Sequence, residues 1–145
     1  MYSIFFLSIV GTGGVFAGTN PSYTQAELKH HLSVCKARFL ISEPAILAPL
    51  LKAAAEVNIP HGMIRIYNPM GDADPKICTS WTELLGYGEM DWVRFDGLDR
   101  CRSTTAARLF TSGTSGLPKA AIISHRNLIA QHMAFTELSP KPYEV

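Results

Sequence analysis

Charge is what this sequence has least of. Only 17% of its 145 residues are Asp, Glu, Lys or Arg, below the ~25% usual in soluble domains, whereas 47% are hydrophobic. A chain this apolar is not intrinsically disordered, because enough side chains can be buried to offset the entropy of ordering. Its length suits one domain. Net charge is close to nil, +1 from 13 basic and 12 acidic residues. The basic excess that neutralises a phosphate backbone is missing, so nucleic acid is not an expected partner.

Positive charge is wholly absent before Lys29. The apolar run from Met1 to Val10 therefore lacks the basic lead-in of a signal peptide, although Ala17-Gly18 resembles a cleavage site. The run is also far short of the ~20 residues that cross a bilayer, so no membrane span is expected. It reads as a buried helix, entered without a capping residue. Cysteine is scarce, and Cys35, Cys78 and Cys101 are odd in number and widely separated. That pattern fits neither a disulfide framework nor paired metal ligands, and a reducing, cytoplasmic setting is the expectation. His30, His31, His61, His125 and His132 find no Cys or acidic residue to complete a ligand set, so no metal site is expected. His125 and His132 are spaced to share a helix face.

Along the chain, helix and strand signals alternate. Thr24 and Glu27 form a capping box for a helix through about Val34. Arg38 to Ser42 reads as a short buried strand, and Glu43 to Val57 as a helix with Pro44 in its first turn. Met63 to Tyr67 alternates like a strand, and Asn68 to Lys76 is rich in loop formers. Trp81 to Gly88 suits a short helix, and the charge-dense stretch from Glu89 to Arg102 suits a surface excursion. This order implies α/β architecture with a largely parallel sheet.

Charge is unevenly placed. Residues 1–100 hold eight basic and ten acidic groups, whereas residues 101–145 hold five basic and two acidic. The positive part contains the most informative stretch, two apolar strand signals (Ala107 to Phe110 and Ala120 to Ile123) flanking Thr111-Ser112-Gly113-Thr114-Ser115-Gly116-Leu117-Pro118-Lys119. Glycines let backbone amides approach an anion, four hydroxyls add donors and a lysine supplies a mobile charge. A Walker loop is excluded, because Leu117-Pro118 separates Gly116 from Lys119 and Ala120 stands where Ser or Thr is required. A dinucleotide fingerprint is excluded at Gly11-x-Gly13, because Phe16 occupies the third glycine's place. Those earlier glycines point to tight packing.

The loop resembles the phosphate-binding signature of the adenylate-forming (AMP-binding) superfamily, which includes acyl-CoA synthetases, 4-coumarate-CoA ligases, luciferases and peptide-synthetase adenylation domains. Nine of the ten signature positions [ST]-[ST]-G-[ST]-[ST]-G-x-P-K-G match, with Ala120 in place of the last glycine. A methyl there is expected to crowd the loop's exit. Ser124-His125-Arg126-Asn127-Leu128 is similar to the family's next helix start, and residues 13–28 to an earlier strand-turn-helix segment. Asp91 to Asp96 and Asn127 to His132 are most similar to fungal members related to 4-coumarate-CoA ligase.

The resemblance implies part of a three-layer α/β sandwich, with residues 1–145 as a partial adenylation domain ending just after the phosphate loop and without the carboxy-terminal catalytic subdomain. It implies ATP with Mg²⁺, coenzyme A as co-substrate and a carboxylic acid converted to an acyl-adenylate and then a thioester. Thr111, Ser112, Gly113, Thr114, Ser115, Gly116 and Lys119 would contact nucleotide, and no residue present would be catalytic. The chain by itself is expected to be inactive. The alternatives are a non-catalytic remnant that binds nucleotide or protein, and a small secreted protein. Pro-Tyr-Glu-Val at the end is not the Ser-Lys-Leu address of peroxisomal relatives.

Overall fold

The computed structural model describes residues 2–68, 77–111 and 118–138. In chain order these form α1 (Tyr2–Gly11), α2 (Gln25–Cys35), β1 (Leu40–Ser42), α3 (Leu47–Glu56), β2 (Ile64–Ile66), β3 (Thr79–Ser80), α4 (Leu98–Ser103), β4 (Thr105–Thr111), β5 (Lys119–Ser124) and α5 (His125–Leu138). Short 3₁₀ turns occupy Pro44–Ile46, His61–Met63 and Trp81–Tyr87. The fold is mixed helix and sheet with parallel strands, and it divides into two compact units: Thr19–Met90, and Met1–Gly18 together with Asp91–Val145.

The Thr19–Met90 unit is built on a β-α-β crossover. Strands β1 and β2 pair in parallel, Leu40 opposite Ile64 and Ser42 opposite Ile66, and β3 joins β2 on the other side. Parallel strands need a long connection, and α3 supplies it. Helix α2 starts where the capping box places it: the Glu27 amide donates to the Thr24 hydroxyl, and the Thr24 amide donates to the Glu27 carboxylate at 2.8 Å. The Thr24 amide and the Thr24 hydroxyl, both donating to the Glu27 carboxylate, hold that carboxyl below its usual range. Lys36, left-handed at φ 52°, ends the helix.

Leu28 and Leu32 of α2 meet Leu47, Leu50, Ala53 and Ala54 of α3, with Ile64, Ile66 and Cys78 below them. Lys29 bonds Glu56 across the rim at 2.7 Å. The hydrogen bond from Lys29 and that from Gln25 lower the Glu56 carboxyl.

Two expectations change here. Met63 to Tyr67 does not alternate: Ile64, Arg65 and Ile66 are all buried, because β2 is the central strand and both faces are covered. Arg65 is tolerated inside because its Nη1 donates to the Gly62 carbonyl at 2.7 Å, its Nε pairs with Glu83 at 2.9 Å and its guanidinium lies over Phe39. The helix foreseen over Trp81 to Gly88 is a 3₁₀ turn through Tyr87. The loop foreseen over Asn68 to Lys76 lies, from residue 69 on, outside the described residues.

In the second unit, the apolar amino-terminal run does form a helix, but not a buried one. Only Gly11 of α1 is buried, and Tyr2, Ile4 and Leu7 are more than half exposed. A helix that is apolar all round cannot hide every face behind one neighbour. Its packed side sets Tyr2 and Phe6 edge-on against the buried Phe16 ring. The helix ends in a Schellman turn: the Gly13 amide donates to the Val10 carbonyl and the Gly14 amide to the Ile9 carbonyl, with Gly13 at φ 77°. A Cβ on Gly14 would stand 2.9 Å from the Ile9 carbonyl oxygen, so these glycines serve close packing, as the sequence implied. The excursion after Glu89 is exposed as expected, but it ends sooner: Leu98–Ser103 is helix α4.

Three substitutions test this account by urea unfolding at pH 7. Ile64→Ala should cost ~2–5 kcal/mol, against under ~0.5 for the exposed Leu85→Ala. Thr24→Ala should cost ~1 kcal/mol through loss of the cap. Gly13→Ala should cost ~1–2 kcal/mol through left-handed strain. Because the Glu27 and Glu56 carboxyls are lowered, the stability they supply is present above the ordinary glutamate range and is lost as pH falls through their folded values. The double variant Glu27→Gln, Glu56→Gln should flatten the acid limb of a stability-versus-pH curve.

Candidate phosphate-binding site

The site is built on the hairpin of β4 and β5. The strands are antiparallel, with Ala107 opposite Ile123, Leu109 opposite Ala121 and Thr111 opposite Lys119. Thr111 and Lys119 are thus cross-strand partners at the end of the hairpin where the connecting segment joins the two strands, their side chains on one face with Leu109 and Ala121. The Thr111 hydroxyl donates to the Lys119 carbonyl at 3.4 Å, and both residues are exposed.

Several devices set this register. Ala106 and Ala107 are fully buried. Phe16 adds a one-residue parallel bridge, its amide donating to the Ala106 carbonyl at 2.9 Å and its carbonyl accepting from the Arg108 amide at 2.8 Å. The ladder is irregular between Thr105 and Ala107, which absorbs one residue near the other end. At that end the Ser124 amide donates to Asn127 Oδ1 at 3.0 Å while the Asn127 amide donates to the Ser124 hydroxyl at 3.3 Å. This reciprocal cap starts α5 immediately after β5. The His125 amide donates to the Thr104 carbonyl at 3.1 Å, and the His125 ring lies 4.3 Å from that of Phe95. Burial lowers the His125 pKa.

Of the seven sequence-derived nucleotide contacts, Thr111 and Lys119 are brought together, while Ser112, Gly113, Thr114, Ser115 and Gly116 lie outside the described residues. Ala120 pairs with Phe110 in the ladder, and the loop whose exit its methyl was expected to crowd lies outside the described residues. His125 and His132 both fall on α5, as their spacing implied. Among the described residues no three His, Cys, Asp or Glu side chains gather around a common point, and none of their helices is long and apolar enough to cross a membrane.

The sequence reading missed the Phe16 bridge and helix α4. The former carries no local signal. The latter had one, Gly97 followed by Asp99 in the first turn and Arg100 and Arg102 in the last, spread over too few residues to show a period.

The family model described as AMP-binding enzyme matches residues 2–143. The chain is 42% identical to the phenylacetyl-CoA ligase epaB of Aspergillus niger over 99% of its own length and 27% of that protein's. It is 43% identical to the acyl-CoA synthetase ACTT5 of Alternaria alternata over 91% of its length and 23% of that protein's. It therefore spans about a quarter of the length of these curated relatives. In fold it is similar to a red-emitting luciferase from Phrixothrix hirtus (TM-score 0.77, 20% identity, covering 96% of this chain and 34% of that one). It is likewise similar to a benzoate CoA ligase from Burkholderia xenovorans (TM-score 0.70, 20% identity, covering 97% and 24%). With residues 2–143 inside the family match, the chain belongs to the AMP-binding, adenylate-forming enzymes.

Proposed function

We propose that this chain forms the phosphate-binding part of an AMP-forming acyl-CoA ligase, in which the hydroxyl- and glycine-rich turn between β4 and β5 holds the β- and γ-phosphates of ATP. The observation that carries this reading is the placement of Lys119 directly across the hairpin mouth from Thr111. Lys119 is exposed and has no acidic partner among the described residues, so its ammonium is available to an anionic ligand. Thr111 offers a hydroxyl from the opposite strand. Ser112, Thr114 and Ser115 would add donors, and Gly113 and Gly116 would admit the phosphates close to the backbone.

No Asp or Glu occurs between Thr105 and Ser124. The hairpin therefore repels no phosphate and offers no carboxylate to a divalent cation. A carboxylate would attack the α-phosphorus of bound ATP, displacing pyrophosphate to give an acyl-adenylate, and the thiol of coenzyme A would then displace AMP to give the thioester. In this reading the residues present bind and orient, and the groups that organise the transfer come from other segments of the enzyme. The open apolar faces of α1 and α5, where Ile4, Leu7, Ile129, Met133 and Phe135 are exposed, support the reading that further polypeptide covers them in an active enzyme. The unbridged Cys35, Cys78 and Cys101 suit the reducing cytoplasm, where we place the protein.

Titration of the 145-residue chain with ATP, followed by calorimetry or by amide chemical shifts, tests the assignment. Weak binding is expected, reduced about tenfold by Lys119→Ala, the ~1.4 kcal/mol of one lost charge-assisted contact, and less by Thr111→Val. Equal affinity of the Lys119→Ala variant would remove the loop from the site. The same chain should support no carboxylate-dependent ATP-pyrophosphate exchange, and exchange above a Lys119→Ala control would overturn the division between binding and chemistry.

A further inference from the structure

His125, the first residue of α5, sits where β5, α4 and α5 meet. Its amide donates at 3.1 Å to the carbonyl of Thr104, the residue that caps α4, and its ring lies 4.3 Å from that of Phe95, tilted by 47°. Phe95 is the hub of this corner. Its carbonyl accepts the Cys101 thiol of α4 at 2.7 Å, and the Arg100 guanidinium, also of α4, lies over its ring at 5.5 Å. The imidazole thus joins the start of α5 to α4 through one aromatic ring.

This corner suits the neutral ring and not the charged one. His125 Nε2 is shut off from solvent and has no hydrogen-bond partner among the described residues. A neutral imidazole can leave one nitrogen as a bare acceptor, whereas an imidazolium makes both nitrogens donors, so protonation would place a charged donor where nothing receives it. The helix adds to the penalty, because its first turn is the positive end of the dipole and carries no acidic residue. Neighbouring charge is mostly of the same sign. Helix α5 itself brings Arg126 and, two turns on, His132; the elements packed against it bring Arg100 and Arg102 (α4), Arg108 (β4) and Lys119 (β5), against Asp99 of α4 and Asp96 beside Phe95. Arg94 is taken by Asp91 at 3.6 Å, and among the described residues no carboxylate forms an ion pair with His125. Burial lowers the His125 pKa in the same direction.

We propose that His125 is a proton-sensitive latch: its neutral ring on Phe95 holds the start of α5 against α4, and uptake of a proton releases the ring and opens this corner of the fold. The unfolded or opened chain takes the proton first. Stability supplied by the neutral ring is therefore complete above the ordinary histidine range, falls as pH drops below it, and levels off once the closed form is protonated as well. The fall begins at higher pH than the one governed by Glu27 and Glu56. The latch stands on Phe95, α4 and α5 alone and does not depend on the nucleotide assignment.

Amide hydrogen exchange of the 145-residue chain, expressed as protection relative to an unstructured peptide at each pH, separates local opening from global unfolding. Between about pH 7.5 and 5.5 the His125 amide, bonded to Thr104, should lose roughly fivefold in protection, while the Arg108 amide, bonded to Phe16, should change less than about twofold. His125→Phe keeps an aromatic ring against Phe95 and takes up no proton, so in that variant the amide of residue 125 should hold its protection across the range. The ring shifts of His125 should titrate at lower pH in the folded chain than in urea. Equal loss at both amides makes the effect global and overturns the latch, loss that survives His125→Phe assigns it to another group, and a ring titration at or above the value in urea overturns the preference for the neutral form. Should His125→Phe fail to fold, the ring titration and the contrast between the two amides in the unaltered chain decide.

Discussion

The register of β4 against β5 is the constraint on which the candidate site depends. Side chains in a strand alternate faces, so a slip of one residue would send Lys119 to the face opposite Thr111 and separate the loop's only cation from its flanking hydroxyl. A two-stranded hairpin holds register poorly by itself. Here it is held from outside. Phe16 bonds across Ala106 and Arg108, the alanine pair leaves no room for a bulkier neighbour to slide in, and the Ser124–Asn127 cap ends β5 at a defined residue. The apolar amino-terminal helix has its purpose in this arrangement: Tyr2 and Phe6 close on the Phe16 ring that bridges β4.

What the sequence disclosed followed the range of the forces involved. The capping box of α2 was legible because both of its partners lie within four residues, and it formed as written. The βαβ order was legible because hydrophobic period and turn chemistry agree over whole segments. Burial was harder. Arg65 within Met63 to Tyr67 reads as an outward-facing residue, and only the tertiary placement of β2 between β1 and β3, with Glu83 and Phe39 brought to it, makes a buried arginine possible. Likewise α1 was legible as a helix from its composition, but its exposed faces depend on how much polypeptide surrounds it.

The candidate site divides in the same way. The residue types of the phosphate loop pointed to an anion, and the spacing of Gly116, Pro118 and Lys119 excluded a Walker loop, so the chemistry was readable without coordinates. That Thr111 and Lys119 face each other was not, since cross-strand register is settled by Phe16, which lies 95 positions before Thr111. Arg126 was visible only as one letter of a family-like helix start.

In the proposed function binding and chemistry separate, and the same register explains why. A hairpin fixes two residues at its mouth, which suffices to hold one end of a polyphosphate. Transition-state stabilisation needs charges preorganised around the reacting phosphorus from several directions, in a site closed to water. Between Thr105 and Ser124 there is no carboxylate, histidine or second lysine to supply another direction. Any such group must come from other segments converging on the open side of the hairpin. In the proposed function, then, the hairpin is the fixed half of a clamp, positioning the phosphates so that groups carried elsewhere act on the one that reacts.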